Sequence, residues 1–122
     1  MTLAQLGLQD VQRWLDAYIA AWRSYDPDDI ADLFSPDVRY EPEPYTLLEG
    51  RDAVVAAWRE EPDASGSWDA SYEPVAIDGW LGVATGTSRY RAPAALYHNV
   101  FLLTFGPDGR CRHYREWYMR QE

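Results

Sequence analysis

Apolar side chains recur at helical spacing near the start of the chain. Residues three and four positions apart share one face of a helix, and such a face is formed here by Val11, Trp14, Leu15, Tyr18, Ile19 and Trp22. The pattern predicts an amphipathic helix over residues 9–24. A second helix over 27–34 is predicted because Asp26 supplies an N-cap and Pro27 suits the first helical position.

The rest of the chain changes from helical to alternating periodicity. A short strand is predicted over 38–41, and a third helix over 51–60, with Val54, Val55 and Trp58 on its inner side. The alternating pattern then predicts four strands, at 67–77, 80–91, 96–105 and 110–119. The pair Asp78-Gly79 indicates a tight hairpin. Helices followed by an antiparallel meander predict an α+β fold with the helices on one face of the sheet.

The predicted strand over 96–105, LYHNVFLLTF, is apolar on both faces. One face can pack against the helices, but the other also needs cover. A homodimer formed through the outer face of the sheet is the favoured interpretation, and cover by the chain's own termini is the alternative.

Composition limits the function classes. A length of 122 residues suits one domain, residues 1–122. Twenty acidic residues against eleven basic ones give a net charge of −9, which argues against nucleic acid or an anionic membrane as a partner. No apolar run approaches the ~20 residues of a membrane span, and no signal sequence is evident, so a cytoplasmic location is expected.

Several chemistries are excluded by residues that the chain lacks. It has no lysine, which removes Schiff-base and phosphate-loop lysine chemistry, and no cofactor is expected. Its single cysteine, Cys111, cannot form an internal disulfide. Alternation places Cys111 and His113 on the same outer face of the last strand, but a metal site needs more ligands than these two.

The abundance of aromatic residues leaves two interpretations open. Six tryptophans, nine tyrosines and three phenylalanines can either fill the core or line a cavity for an apolar ligand.

A four-residue turn at 106–109 would place a polar pair within an aromatic wall. In that register Asn99 faces Glu116 and Phe101 faces Tyr114, while Phe105 faces Arg110, Leu103 faces Arg112 and Tyr97 faces Tyr118. A carboxylate in such a wall is partly desolvated, which raises its pKa and suits it to proton transfer near neutral pH. A three-residue turn would change the pairing, and Glu116 could instead bond to arginine at a wet edge.

The stretch VRYEPEPY carries two further carboxylates. Glu41 and Glu43 each precede a proline, which holds them in extended conformation. If Tyr40 points inward, alternation turns both glutamates outward, unless the prolines kink the segment. The stretch is therefore interpreted as a stiff lip of the cavity, with Glu43 as a minor candidate base.

Three segments resemble a known family. The stretches DPDDIADLFSPDVRYEPEP, LEGRDAVVAAW and the final F-x-x-DGR followed by REWY are similar to the SnoaL-like branch of the nuclear-transport-factor-2-like proteins. The resemblance covers nearly the whole chain. It implies a cone in which three N-terminal helices pack in the concave face of a strongly curved antiparallel sheet, often as a dimer. Relatives include polyketide cyclases, ketosteroid isomerases, scytalone dehydratase, limonene epoxide hydrolase and non-enzymatic modules.

Comparison with ketosteroid isomerases does not support steroid isomerisation. Tyr18-Ile19 matches the family's first helix, but Trp58 stands where the resemblance implies a tyrosine and Phe101 where it implies the oxyanion-binding acid. The position of the general base falls on Pro42. The same comparison favours the four-residue register, since it turns Asn99, Phe101, Tyr114, Glu116 and Tyr118 inward.

The sequence therefore predicts a cavity for a small apolar or aromatic, oxygen-bearing metabolite. Glu116 is the expected acid-base, with Asn99 and Tyr18 as hydrogen-bond donors to a developing oxyanion, in isomerase-, cyclase- or hydrolase-type chemistry. Expected ligand contacts are Trp22, Tyr40, Trp58, Phe101, Tyr114 and Tyr118. The alternatives are a non-catalytic binding module and a dimeric accessory domain whose pocket is incidental.

Overall fold

The computed structural model describes residues 2–122, and an α+β fold is formed within them. The helices are α1 (Leu8–Ser24), α2 (Pro27–Ala31) and α3 (Arg51–Trp58). The strands are β1 (Phe34–Glu41), β2 (Leu48–Glu49), β3 (Trp68–Asp78), β4 (Leu81–Arg91), β5 (Ala94–Phe105) and β6 (Cys111–Arg120). The element order is the one that the periodicity predicts, except for the two-residue strand β2, which was not predicted.

All six strands form one sheet in the order β2-β1-β6-β5-β4-β3. The pairings are antiparallel except that of β1 with β6, which is parallel, so the prediction of a purely antiparallel sheet was wrong. Strands β1 and β6 are neighbours in the sheet, but the rest of the meander separates them in the sequence. Turn signals, which report on strands adjacent in sequence, cannot reveal such a pairing. The mixed sheet with few helices is consistent with the cone fold.

The end of the second helix was predicted wrongly. Helix α2 stops at Ala31, and Phe34 starts strand β1, which begins four residues earlier than expected. The backbone N–H of Cys111 donates to the carbonyl of Leu33 at 2.9 Å, which ties this segment to β6. Leu33 and Phe34 are still buried, so the apolar pattern located the core correctly even though the local structure is different.

The core lies between α1 and the inner face of the sheet. Val11 and Leu15 are fully buried, as the helical pattern predicts. The indole N–H of Trp14 donates to the carbonyl of Leu33 at 2.9 Å, and its ring contacts Phe105 edge-on with centroids 5.8 Å apart. The indole thus buries its apolar body and satisfies its one donor, as a buried tryptophan requires.

The β5–β6 hairpin differs from the predicted register by two residues. Phe101 pairs with Glu116 and Asn99 pairs with Tyr118. Side chains alternate between faces with a period of two, so a shift of two residues preserves every assignment of face. Asn99, Phe101 and Glu116 therefore still point to the same side of the sheet.

A register irregularity near the turn reverses the expected positions of two side chains. Phe105 pairs with Cys111 and not with Arg110, and the thiol of Cys111 is fully buried in the core. Arg112 is exposed and does not face Leu103 on the inner side. The earlier placement of Cys111 on the outer face beside His113 was wrong. Burying the thiol costs little, whereas burying a guanidinium without a partner is expensive, and this difference favours the irregularity.

The hairpin at Asp78-Gly79 is confirmed. Asp78 pairs with Leu81, which leaves Gly79 and Trp80 as the loop, and Gly79 has a φ of 60°. Glycine suits this left-handed conformation because it has no Cβ to clash. No helix in residues 2–122 is long and apolar enough to cross a membrane.

Candidate functional site

A cavity of about 690 Å³ opens between α1 and the inner face of strands β3 to β6. Its volume falls in the range that holds small-molecule ligands. The wall combines six aromatic side chains with a comparable number of polar and charged ones. The lining residues are Tyr18, Trp22, Pro42, Glu43, Pro62, Asp63, Ala64, Ser67, Tyr72, Ser88, Tyr90, Ala92, Pro93, Ala95, Tyr97, Asn99, Glu116, Tyr118 and Arg120.

The carboxylate of Glu116 faces this cavity and is held by two neighbours. The hydroxyl of Tyr114 donates to Oε1 at 2.5 Å, and Nδ2 of Asn99 donates to Oε2 at 2.8 Å. The hydroxyl of Ser88 in turn donates to the amide oxygen of Asn99 at 3.0 Å. Strands β4, β5 and β6 bring these side chains together because each lies at an inward position of its strand.

Burial raises the pKa of Glu116 to about 7, although the hydrogen bonds from Tyr114 and Asn99 act in the opposite direction. Loss of water around the charged form therefore outweighs stabilisation by the two donors. Near neutral pH the carboxyl is present in both protonation states, which is the condition for efficient general acid-base catalysis.

Tyr18 extends the polar chain from Tyr114 to helix α1. The hydroxyl oxygens of Tyr18 and Tyr114 are 3.0 Å apart. Tyr114 has one hydroxyl hydrogen, and it is used on Glu116, so Tyr18 donates to Tyr114 while Glu116 is ionised. Burial, followed by the charge of Glu116, raises the pKa of both phenols, which keeps them as neutral donors.

The structure places five of the nine predicted site residues in the cavity lining. These are Tyr18, Trp22, Asn99, Glu116 and Tyr118. The other four lie behind the wall: Tyr40, Phe101 and Tyr114 belong to the core cluster, and Trp58 is partly buried and packs against it.

The residues behind the wall support it. The indole N–H of Trp58 donates to the hydroxyl of Tyr40 at 3.0 Å, and the Tyr40 ring stacks on Tyr114 with centroids 4.5 Å apart. Phe101 is fully buried and contacts the Tyr18 ring edge-on at 5.9 Å. We therefore interpret these four side chains as positioning groups, with Tyr114 acting through its hydrogen bond to Glu116.

Sequence reasoning missed many of the lining residues, among them Tyr72, Ser88, Tyr90 and Asp63. Tyr72, Ser88 and Tyr90 lie at alternating inward positions of β3 and β4, so the same alternation that selected Asn99 and Glu116 could have identified them. Asp63 lies in the loop after α3. No periodic pattern applies there, and nothing in the local sequence indicates that its carboxylate turns inward.

The stretch VRYEPEPY divides its two glutamates between different surfaces. Glu41 lies on the outer side, where its Oε2 is 2.5 Å from Nε2 of His113. Glu43 and Pro42 lie at the mouth of the cavity, and the hydroxyl of Tyr118 donates to Glu43 at 3.2 Å. The prolines thus turn Glu43 toward the cavity, while Tyr40 lies beneath the wall.

The position of Glu116 predicts a pH-dependent stability difference. Its pKa is raised on folding, so between about pH 4.5 and 7 the native state binds more protons than the unfolded state, and stability falls as pH rises. Glu116→Gln cannot ionise and should escape this loss. Relative to wild type, the variant should gain about 2 kcal/mol in unfolding free energy between pH 5 and pH 8. Urea denaturation at both pH values measures the unfolding free energies. If variant and wild type differ by the same amount at pH 5 and pH 8, the raised pKa is contradicted.

Solved structures with the same fold lie at low sequence identity. A candidate ketosteroid isomerase from Kribbella flavida has a TM-score of 0.71 and 19% identity, covering 94% of this chain and 82% of its own. An LEH-like epoxide hydrolase from M. tuberculosis has a TM-score of 0.69 and 16% identity, covering 92% and 84%. An uncharacterised Caulobacter vibrioides protein with a cystatin-like fold has a TM-score of 0.69 and 21% identity, covering 93% and 89%. These similarities establish the fold and not the activity.

Sequence comparison establishes the family. A search of curated proteins gives no significant match. The model of the SnoaL-like domain matches residues 15–117, which run from the middle of α1 into β6 and include the carboxylate network around Glu116. The resemblance inferred from the three sequence segments is thereby confirmed, and the chain belongs to the SnoaL-like domain family.

Proposed function

We propose that this SnoaL-like domain binds a small, largely apolar, oxygen-bearing molecule in its cavity and that Glu116 exchanges a proton with it. The observation that carries the proposal is the Glu116 carboxylate, which faces a 690 Å³ aromatic cavity with a pKa of about 7. Isomerase-, cyclase- and hydrolase-type reactions all use such a group. Fold similarity to an epoxide hydrolase and a candidate ketosteroid isomerase supports this class of chemistry.

The hydrogen-bond chain couples the base to an electrophile. When Glu116 takes a proton from a C–H bond next to a ligand carbonyl onto Oε1, its new hydroxyl donates to Tyr114. Tyr114 then donates to Tyr18, which frees the hydroxyl hydrogen of Tyr18 to donate to the ligand oxygen. That oxygen carries the negative charge of the enolate, formed from the electron pair of the broken C–H bond. The second N–H of Asn99 is a further donor, because only one is used on Glu116. Protonation of Glu116 thus releases Tyr18 as an oxyanion donor, while the second N–H of Asn99 is a donor throughout.

The proposal predicts a specific pH profile for proton abstraction. The probe is 2-tetralone, an apolar ketone whose α-hydrogens exchange with D₂O and can be followed by NMR. Ionised Glu116 is the base, so the protein-dependent exchange rate should rise with pH and level off, with a midpoint near 7. A rate equal to that of buffer alone across pH 5–9, in the presence of saturable binding, would overturn proton transfer as the function.

A non-catalytic binding module is the second candidate, and one observation favours it. Both predicted oxyanion donors already have partners in the protein, since Asn99 bonds to Glu116 and Tyr18 bonds to Tyr114. A network whose donors are satisfied in this way can shape a binding site without taking part in a reaction. Binding of 2-tetralone without exchange would establish this alternative.

We further propose that the domain forms a homodimer through the outer face of the sheet. Val100, Trp117 and Met119 lie on that face and are 41%, 41% and 73% exposed. Large apolar side chains exposed together mark an interface.

The dimer is tested with Trp117→Glu, which should convert it to monomer because a charged side chain replaces a large apolar one in the middle of the proposed interface. Sedimentation velocity at micromolar concentration measures the change. Leu8→Glu is the matched control, since Leu8 is 50% exposed but belongs to α1. A wild-type monomer under these conditions would contradict the proposal.

A further inference from the structure

Four aromatic rings follow one another around the mouth of the cavity. Trp22 contacts Tyr90 at 6.3 Å between centroids, Tyr90 contacts Tyr97 at 5.8 Å, and Tyr97 contacts Tyr118 at 5.6 Å. They come from α1, β4, β5 and β6, so the arc is built by tertiary packing and not by one segment. All four line the cavity, and we call them the aromatic arc.

A carboxylate is bonded to each end of the aromatic arc. At one end, Oδ2 of Asp63 accepts from the indole N–H of Trp22 at 2.9 Å. At the other, Oε2 of Glu43 accepts from the hydroxyl of Tyr118 at 3.2 Å. A ring that donates a hydrogen bond to an anion becomes more electron-rich, which strengthens the attraction of its face for a cation.

The charged side chains of the lining give the cavity a negative balance. Three carboxylates face it, from Glu43, Asp63 and Glu116, against one guanidinium, from Arg120. Burial and then the charge of Asp63 raise the pKa of Tyr90, while burial and then Glu43 raise that of Tyr118, as expected where the potential is negative. An anionic ligand would be repelled by this lining.

The same aromatic stack already attracts a cation from its outer side. Trp22 stacks on Trp68 with centroids 3.5 Å apart, and the guanidinium carbon of Arg23 lies 5.0 Å from the Trp68 ring. This geometry is within the range of a cation–π interaction. The cavity side of the arc offers ring surface of the same kind, and it adds the two carboxylates.

We propose that the mouth of the cavity binds a positively charged amine, so that the ligand of this domain is an apolar molecule bearing a protonated or quaternary ammonium group. The ammonium lies against the aromatic arc, whose two ends carry Asp63 and Glu43, and the apolar body extends toward Glu116. This inference rests on the proposed function only in that the cavity binds a small molecule. It does not depend on whether Glu116 transfers a proton.

The test compares three probes of the same shape and different charge: 4-phenylbutylamine, 4-phenyl-1-butanol and 4-phenylbutyrate. Titration calorimetry at pH 8 and low ionic strength keeps the amine protonated and Glu116 largely ionised. We expect the amine to bind at least about fivefold more tightly than the alcohol, and the butyrate to bind most weakly.

Two variants at the mouth locate the ammonium group. Asp63→Asn keeps an oxygen to accept from Trp22, and Tyr97→Leu removes one ring of the arc. Each should lower the preference for amine over alcohol at least about threefold, because both probes share the same apolar body and only the amine carries the charge. Glu73→Gln is the matched control for loss of one negative charge, because Glu73 is exposed and lies outside the cavity lining.

The outcomes separate this inference from the proposed function. Equal binding of amine and alcohol, or an equal loss of preference in Glu73→Gln, overturns the amine site and leaves the cavity as a neutral-ligand site. A preference lost in Glu116→Gln but kept in both mouth variants also overturns it, because the ammonium would then lie in the depth of the cavity. Failure of all three probes to bind at 10 mM overturns both proposals.

Discussion

Replacing Glu116 by glutamine is expected to lower the protein-dependent rate of deuterium exchange into 2-tetralone by about 100- to 10,000-fold, the usual contribution of a general base. Glutamine has nearly the same shape, and its amide oxygen can still accept from Tyr114. It cannot take a proton at neutral pH. Binding of the ketone should therefore persist while exchange is lost, and NMR measures both on the same sample.

Glu43→Gln is the matched control for this experiment. Glu43 also lines the cavity, but it lies at the mouth and bonds to Tyr118, and the chemical change is identical. Exchange should fall less than about threefold in this variant, in keeping with loss of a remote charge. If Glu43→Gln causes the large loss and Glu116→Gln does not, the base is Glu43, and the role assigned to Glu116 is wrong.

The candidate base could be found from sequence even though the strand register was wrong. Alternation assigns each side chain to a face of the sheet, and a register shift by an even number of residues leaves that assignment unchanged. Asn99 and Glu116 therefore lie on one face although the pairing differs by two residues from the predicted one. Their hydrogen bond is therefore diagonal, between residues that are not cross-strand partners. The method fails where the register itself changes by one, as it does at Cys111, which lies in the core and not on the outer face.

Long-range features lay beyond the sequence patterns. The parallel pairing of β1 with β6 joins residues more than 70 positions apart, and no local signal encodes it. Asp63 is oriented by hydrogen bonds from Trp22 and Tyr25, which precede strand β1 in the sequence, whereas Asp63 follows α3. The mouth of the cavity depends on such contacts. Which side chains meet there is determined by how the helices pack on the sheet, and local sequence patterns do not encode that packing.

Gly86 is expected to be the most sensitive backbone position near the site. It pairs with Tyr72 across strands β4 and β3, and the two backbones approach closely there. A Cβ at position 86 would lie 2.0 Å from the carbonyl oxygen of Ser71 and 2.7 Å from Cα of Tyr72. These are backbone atoms in a sheet, so they cannot move aside by a change of rotamer. Glycine in a strand often marks such an approach.

Gly86→Ala should therefore lower the free energy of unfolding by about 3 kcal/mol, at the upper end of what overpacking costs. Gly82→Ala is the matched control on the same strand. There the nearest atom to the new Cβ is a methyl carbon of Val11 at 2.8 Å, which belongs to a side chain that can shift, and the expected loss is about 1 kcal/mol. Urea denaturation with a common m-value compares the two.

The same substitution should also disturb the cavity, because Tyr72 lines it and contacts Phe101 at 4.8 Å between ring centroids. Moving β3 away from β4 would separate these rings and loosen the support beneath Tyr18. Probe binding should weaken in Gly86→Ala even at temperatures where the variant is fully folded. If Gly86→Ala is no less stable than Gly82→Ala, the close approach of the two strands does not exist. If it is less stable but binds the probes normally, that approach contributes to the stability of the fold and not to the shape of the site.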